Sequence, residues 1–441
     1  MTAAEMLVES VARREQGAPA DAHALAAEAL DAATDDDSRT VEALILLGRT
    51  SLELCAYEEA AAHLERAVAL AERLEGETAA ELRVVALSDR AALARMLGRY
   101  DEAERRYRQL LALAQPDSLD AAAVYNDLAV TFKFAGNFDE AQRLYGRSLA
   151  ILERELGPDH PDLATLHHNL GGLAHARGDY AAAESPARRS VEIRRRALGQ
   201  NHPAVAADTA ALAAVLDALG QAEEAETLLR RAIAVFEHAL GPEHYEVAFN
   251  LGQLAALRFR RGDLDEAENL YRRGLALLEH LLGADHPDLA PSLNNLAVLV
   301  AERGQPQEAA ALHRQALAIL EQSVQPDHPT LVACRENLAA LATPARALRG
   351  ADPALAAEPG GTELPGSRLT VTLGGLGEGN TRRSALGRHA AIESAAAARA
   401  SPFTGTPPTA KRDIESVGAQ PGACWTFVAI SRIVRSAPEG R

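Results

Sequence analysis

A chain of 441 residues, 47% hydrophobic and 24% charged, is long enough for two or three folded cores, yet aromatics make up only 4% and there is one tryptophan. Alanine and leucine dominate instead, so any core must be assembled from small side chains packed closely in helices. The formal net charge is -17, and the slight basic excess beyond residue 343 leaves residues 1 to 342 more acidic still, which argues against DNA or RNA as a partner: non-specific nucleic-acid affinity comes mostly from Lys and Arg neutralising phosphates.

Cys55, Cys334 and Cys424 are far apart and odd in number, so they cannot complete a disulfide framework, which fits a reducing compartment. The N-terminus has no signal-peptide pattern, and no apolar run of about 18 residues follows. A cytoplasmic protein without a membrane partner is expected.

In chain order, the first signal is weak: "QGAPADA" at residues 16 to 22 reads as part of atypical N-terminal capping helices over residues 1–39. "LCAYEEA" (Leu54 to Ala60) and "LGRYDEA" (Leu97 to Ala103) then open second helices, with Gly48 and Ala91 as small positions in their partners. From there the spacing becomes strict. Gly136, Gly178, Gly220, Gly262 and Gly304 are 42 apart, and so are His160, His202, His244, His286 and His328. Such self-similarity implies a stacked array.

Each unit reads as two helices. The first is expected to open at Pro161, Pro203, Pro287 or Pro329, where a missing N–H costs nothing, and to end at the glycine. The second opens behind an N-cap such as Asn137 or Asp263, with Glu140 or Glu266 three residues on. Seven helix pairs are expected between about residues 40 and 323, followed by a closing helix from Pro329 to about Leu341. Leu128, Leu170, Leu212, Leu254, Leu296 and Leu338 form a ladder in the first helices, each followed by Ala or Gly, which favours close helix approach.

These residues resemble tetratricopeptide repeats of the kinesin light chain type: 42-residue units, "LNNLAVL" (Leu293 to Leu299) in the first helix, "GDLDEAENLYRRGLALLEHLLG" (Gly262 to Gly283) in the second, and a Gly-x-x-His-Pro turn. The resemblance covers residues 40–342. It implies an all-α, right-handed superhelical α-solenoid whose first helices line a concave groove binding a peptide or a partner helix. Bacterial relatives are often scaffolds or sensor modules.

The recurring histidines are too far apart to share one metal ion, and their place in the turns implies capping. His167, His168 and His175 lack the four-residue spacing of a zinc helix; no metal or cofactor is expected, although imidazoles on one face could make peptide affinity depend on pH. No nucleophile, general base or phosphate loop stands out, so the protein is expected to be non-enzymatic. The residues two before, two after and five after the Leu ladder share the opposite face. They nominate Asn126, Val130, Lys133, His168, His175, Asp217, Phe259, Asn294 and Val298 as the peptide-binding groove. Asn169, Asn295 and Asn337 are assigned instead to satisfying backbone groups between helices.

Pro186 interrupts a second helix, and Gly171 and Gly172 weaken its partner, so that unit should be the softest. Beyond residue 343 the period vanishes into an Ala, Arg, Gly, Pro, Ser and Thr composition expected to be disordered. The glycine run at 373 to 380 reads as flexibility, and the apolar stretch "CWTFVAISRIV" (Cys424 to Val434) either docks somewhere or carries no role. The leading expectation is a protein-interaction scaffold with a protein or peptide partner. The alternative is the sensor half of a bacterial effector or signalling system whose catalytic domain lies elsewhere.

Overall fold

The computed structural model describes residues 1–15, 18–33, 37–54, 56–323 and 329–342. Among them the chain is helical without strands: α1 (Ala3–Glu15), α2 (Pro19–Ala32), α3 (Asp37–Glu53), α4 (Tyr57–Ala71), α5 (Glu77–Met96), α6 (Tyr100–Leu113), α7 (Leu119–Phe134), α8 (Phe138–Leu156), α9 (Leu163–Ala176), α10 (Tyr180–Leu198), α11 (Pro203–Ala218), α12 (Ala222–Leu240), α13 (Tyr245–Arg260), α14 (Leu264–Leu282), α15 (Ala290–Glu302), α16 (Pro306–Ser323) and α17 (Pro329–Ala342). They divide between Gln200 and Asn201 into two compact units, one holding α1 to α10 and the other α11 to α17. Within each unit, odd-numbered inner helices pair with the even-numbered outer helices that follow them, and α17 closes the second unit.

The glycines stop the inner helices. Gly136 has φ 75°, and the chain closes around it with two bonds, Gly136 N–H to Lys133 O at 3.1 Å and Asn137 N–H to Phe132 O at 2.8 Å. This pair of bonds satisfies the last carbonyls and requires a left-handed residue. The outer helix then starts on its cap. Asn137 Oδ1 accepts from Glu140 N–H at 3.4 Å, and Asp263 Oδ1 from Glu266 N–H at 3.3 Å. The glutamates pair outward with arginine: Glu140 with Arg143, Glu266 with Arg230.

The histidine of each described turn is also a cap. Its Nδ1 accepts the N–H two residues on: His160 from Asp162 at 3.3 Å, and His202, His244 and His286 from Ala204, Glu246 and Asp288 at 3.1 Å each. Inner helices do not always begin at the turn proline. Pro203 and Pro329 open α11 and α17, but α9 begins at Leu163, and a 3-10 turn at Pro287–Leu289 precedes α15. Ahead of α9 the bonds are short-range, Leu163 N–H to His160 O and Ala164 N–H to Pro161 O at 3.0 Å, so the tighter turn delays the α-helix there.

Small residues set how closely helices approach. A Cβ on Gly48 would stand 2.5 Å from Leu64 Cγ of α4, one on Gly171 3.3 Å from Ala187 N of α10, and one on Gly274 2.9 Å from Ala248 O of α13. Of the Leu ladder, Leu128, Leu212, Leu254 and Leu296 are buried, whereas Leu170 and Leu338 are half-buried. Burial is not confined to one face: every residue from Tyr125 to Phe132 is buried. An inner helix is packed between its own outer helix and the next repeat, so its two-sided contact hides positions that an amphipathic pattern would leave open. Cys334 is wholly buried in α17, which pushes its thiol up to about 12 and makes it a small core residue.

Cys55, His328, Cys424, the glycine run at 373 to 380, the stretch at 424 to 434 and the whole segment 343–441 lie outside the described residues. No helix among the described residues is long and apolar enough to cross a membrane.

Candidate partner-binding face

The inner helices carry an unusual amount of buried polarity. In the first unit Arg49 of α3 meets Asp89 of α5, Nε to Oδ2 at 2.6 Å with both side chains 1% exposed, and Arg14 of α1 meets Glu53 of α3 at 2.6 Å. Arg90 of α5 reaches Glu65 of α4 at 3.1 Å and Glu102 of α6. Removing such charges from water is costly unless they remain paired, so these contacts fix the register of one repeat on the next rather than adding much net stability.

Amides do the same work further along. Asn169 Nδ2 donates to Asn126 Oδ1 at 2.8 Å, joining α9 to α7, and in the second unit Asn337 Nδ2 donates to Asn294 Oδ1 at 3.1 Å, joining α17 to α15. Asn126 and Asn294 each also donate to the next residue, Asp127 and Asn295, at 3.4 Å. Asn169 and Asn337 therefore bridge helices, but they donate to the side chains of Asn126 and Asn294 and not to the backbone groups expected from the sequence. The nominated groove residues Asn126 and Asn294 are the other halves of these bridges and are buried, at 4% and 0% exposure. Val130, Val298 and His168 are buried as well.

Lys133, His175, Asp217 and Phe259 remain partly open. All four stand three residues before a glycine at the C-terminal end of an inner helix, Lys133 and His175 in the first unit, Asp217 and Phe259 in the second. Arg95 of α5 holds the same place before Gly98 and was missed for want of a strict 42-residue spacing there; aligning on the glycine would have found it. Burial, aided by the neighbouring Arg95 charge, brings the Lys133 amine down to about 8. Burial likewise lowers His175, with Lys133 adding to the effect. In the second unit Asp217 pairs with Arg260 of α13, and Phe259 packs on the cluster around Leu296. Among the described residues no group of three or more His, Cys, Asp or Glu could hold a metal ion.

Stacked helix pairs with glycine stops, capped turns and a polar seam between inner helices define a repeat protein of the α-solenoid class. The tetratricopeptide repeat family profile matches residues 39–116, 81–154, 120–196, 205–280 and 246–322, more than half of the chain, and the protein belongs to that family. Its repeats form a protein-interaction scaffold, and the family is typically non-catalytic. No curated protein matches the sequence. Among solved structures, BtubC (BKLC) from P. vanneervenii is 24% identical with TM-score 0.42, covering 55% of this chain and 94% of its own. A Podosopora anserina protein with nearly identical kinesin light chain TPR-like repeats is 25% identical with TM-score 0.39, covering 46% of this chain and 98% of its own. The apo form of RapI is 13% identical with TM-score 0.49, covering 63% and 97%.

Proposed function

We propose that the protein is a non-enzymatic scaffold that binds an extended peptide or a partner helix along the inner helices of its repeats. The observation that carries this reading is the repeated position before the glycine stops: Lys133 and His175 in one unit, Asp217 and Phe259 in the other, each partly open. A partner laid across α7 and α9, or across α11 and α13, meets one such side chain on each helix, so affinity accumulates from several modest contacts. Asn126, pinned by its bridge to Asn169, holds together the two helices that present Lys133 and His175. Val130, His168 and Val298 form the floor.

The test selects peptides from a random library on the full chain. The selected peptides are then measured against Lys133→Gln/His175→Ala and against Asp217→Asn/Phe259→Ala. Peptides specific for this face lose about tenfold or more in affinity, some 1.4 kcal/mol, on one of the double variants while helical circular dichroism is unchanged. Peptides that bind both variants as tightly as the wild type would place recognition on the outer helices.

A further inference from the structure

An inner helix of this fold has a seat for the outer helix that follows it. In α13 the seat includes Ala248, whose carbonyl oxygen would stand 2.9 Å from a Cβ on Gly274 of α14. In α7 it includes Ala122, whose carbonyl accepts from Ser148 Oγ of α8 at 2.7 Å. Further along the same face of α9 lies Gly171, where a Cβ would meet Ala187 N of α10 at 3.3 Å. The first position recurs every 42 residues as Ala122, Ala164, Ala206, Ala248 and Ala290, none more than 3% exposed. The second, seven residues later, recurs as Ala129, Gly171, Ala213, Ala255 and Ala297, all buried. In α17 the same two positions are Val332 and Ala339, and both are exposed, Val332 at 37%. Among the described residues α17 packs on α16 and α15, and no outer helix follows it.

The open seat also carries charge. Arg335 and Glu336 stand between Val332 and Ala339, at the i+3 and i+4 places of one helix face, and both are exposed. Arg335 meets Glu321 of α16 at 2.9 Å, with each side chain about half open to water, so this contact is weak and leaves the guanidinium able to take a second carboxylate. The order apolar, cation, anion, apolar complements itself when one copy is reversed. We propose that this face of α17 is a homodimer interface, on which α17 of a second copy lies antiparallel in the seat that an outer helix fills elsewhere in the array. About a two-fold axis midway between positions 335 and 336, Val332 of one copy meets Ala339 of the other and Arg335 meets Glu336, each contact made twice. A large side chain against a small one lets the helices approach closely. Parallel pairing would set Arg335 on Arg335 and Glu336 on Glu336, so the charges select the antiparallel arrangement.

A single pair of 14-residue helices falls short of the roughly 1,200 Å² that stable complexes bury, so a reversible dimer with a dissociation constant on the order of 1 to 100 μM is expected. The experiment is sedimentation velocity of the full chain across about 1 to 300 μM. Arg335→Glu sets Glu against Glu, and Glu336→Arg sets Arg against Arg. Each variant alone should therefore lose about tenfold or more in dimer affinity, with circular dichroism unchanged. Mixed in equal amounts, the two variants should bind each other, and Arg335→Glu/Glu336→Arg in one chain should restore the homodimer. A fold damaged by either substitution predicts no such rescue. Wild type that stays monomeric throughout, as it would if residues 343–441 or an unrelated protein covered α17, would overturn the proposal. So would a dimer indifferent to the single variants, or single variants that ignore each other when mixed.

Discussion

Two helical glycines separate helix propensity from packing. Gly146 lies exposed in α8 with nothing within 4 Å of where a Cβ would sit, while a Cβ on Gly274 of α14 would stand 2.9 Å from the carbonyl oxygen of Ala248 and 3.5 Å from Leu251 Cβ. Both substitutions to alanine gain about 1 kcal/mol from helix propensity. Only Gly274→Ala also drives an atom into the backbone of a neighbouring helix, which cannot rotate aside, at a cost of about 1 to 3 kcal/mol. Gly146→Ala should therefore stabilise by about 1 kcal/mol and Gly274→Ala should leave stability unchanged or lower it by up to about 2 kcal/mol. At the equivalent place in α8 the chain has Ser148, whose Oγ donates to Ala122 O at 2.7 Å, so there the helices are spaced to admit a side chain. Because repeats can open separately, urea midpoints should be read together with amide hydrogen exchange in α7–α8 and α13–α14. Equal stabilisation by the two alanines would refute the claim that Gly274 sets the approach of α14 to α13.

Asp89→Ala strands the buried Arg49 guanidinium and should destabilise by about 3 to 5 kcal/mol in denaturant titration, whereas Arg49→Met/Asp89→Leu should recover most of that loss. His313 of α16 is wholly buried, neither ring nitrogen has a hydrogen-bond partner among the described residues, and burial lowers it to about 4. Because the folded-state value lies below the unfolded one near 6.5, its contribution is intact above about pH 6.5 and is lost as pH falls towards about 4. Thermal melts of His313→Leu should be flatter across that window than those of the wild type. Pro186 remains inside a continuous α10, at the cost of one helix bond, while Ala183 and Ala187 on either side of it pack against Gly171 of α9. Amides of residues 163 to 198 should therefore exchange faster than those of residues 247 to 282; equal protection would show that packing of Ala183 and Ala187 makes good the lost bond.

The repeat was legible because its punctuation is local. A glycine that must turn left-handed, an Asn or Asp cap whose oxygen accepts from the N–H three residues on, and a turn histidine act within a few residues of themselves, so their recurrence marks helix ends directly. The face exposed to a partner was harder to read. Asn126 and Asn169, Asn294 and Asn337, or Arg49 and Asp89 meet across two helices, and no local pattern says which of two neighbouring amides is buried. A helix flanked on both sides by others also has no clean polar stripe, which is why Val130 and Val298, placed by spacing on the open face, are wholly covered. Delayed starts at α9 and α15 depend on competition between turn types that a proline alone does not decide.

The identical closure around Gly136, Gly178, Gly220, Gly262 and Gly304 bears on how such a gene changes length. When every hairpin turns through the same backbone state, crossing-over at that turn between misaligned copies deletes or duplicates one complete module and leaves the junction intact. Reach can then evolve in whole-hairpin steps, while the side chains before each glycine diversify one copy at a time.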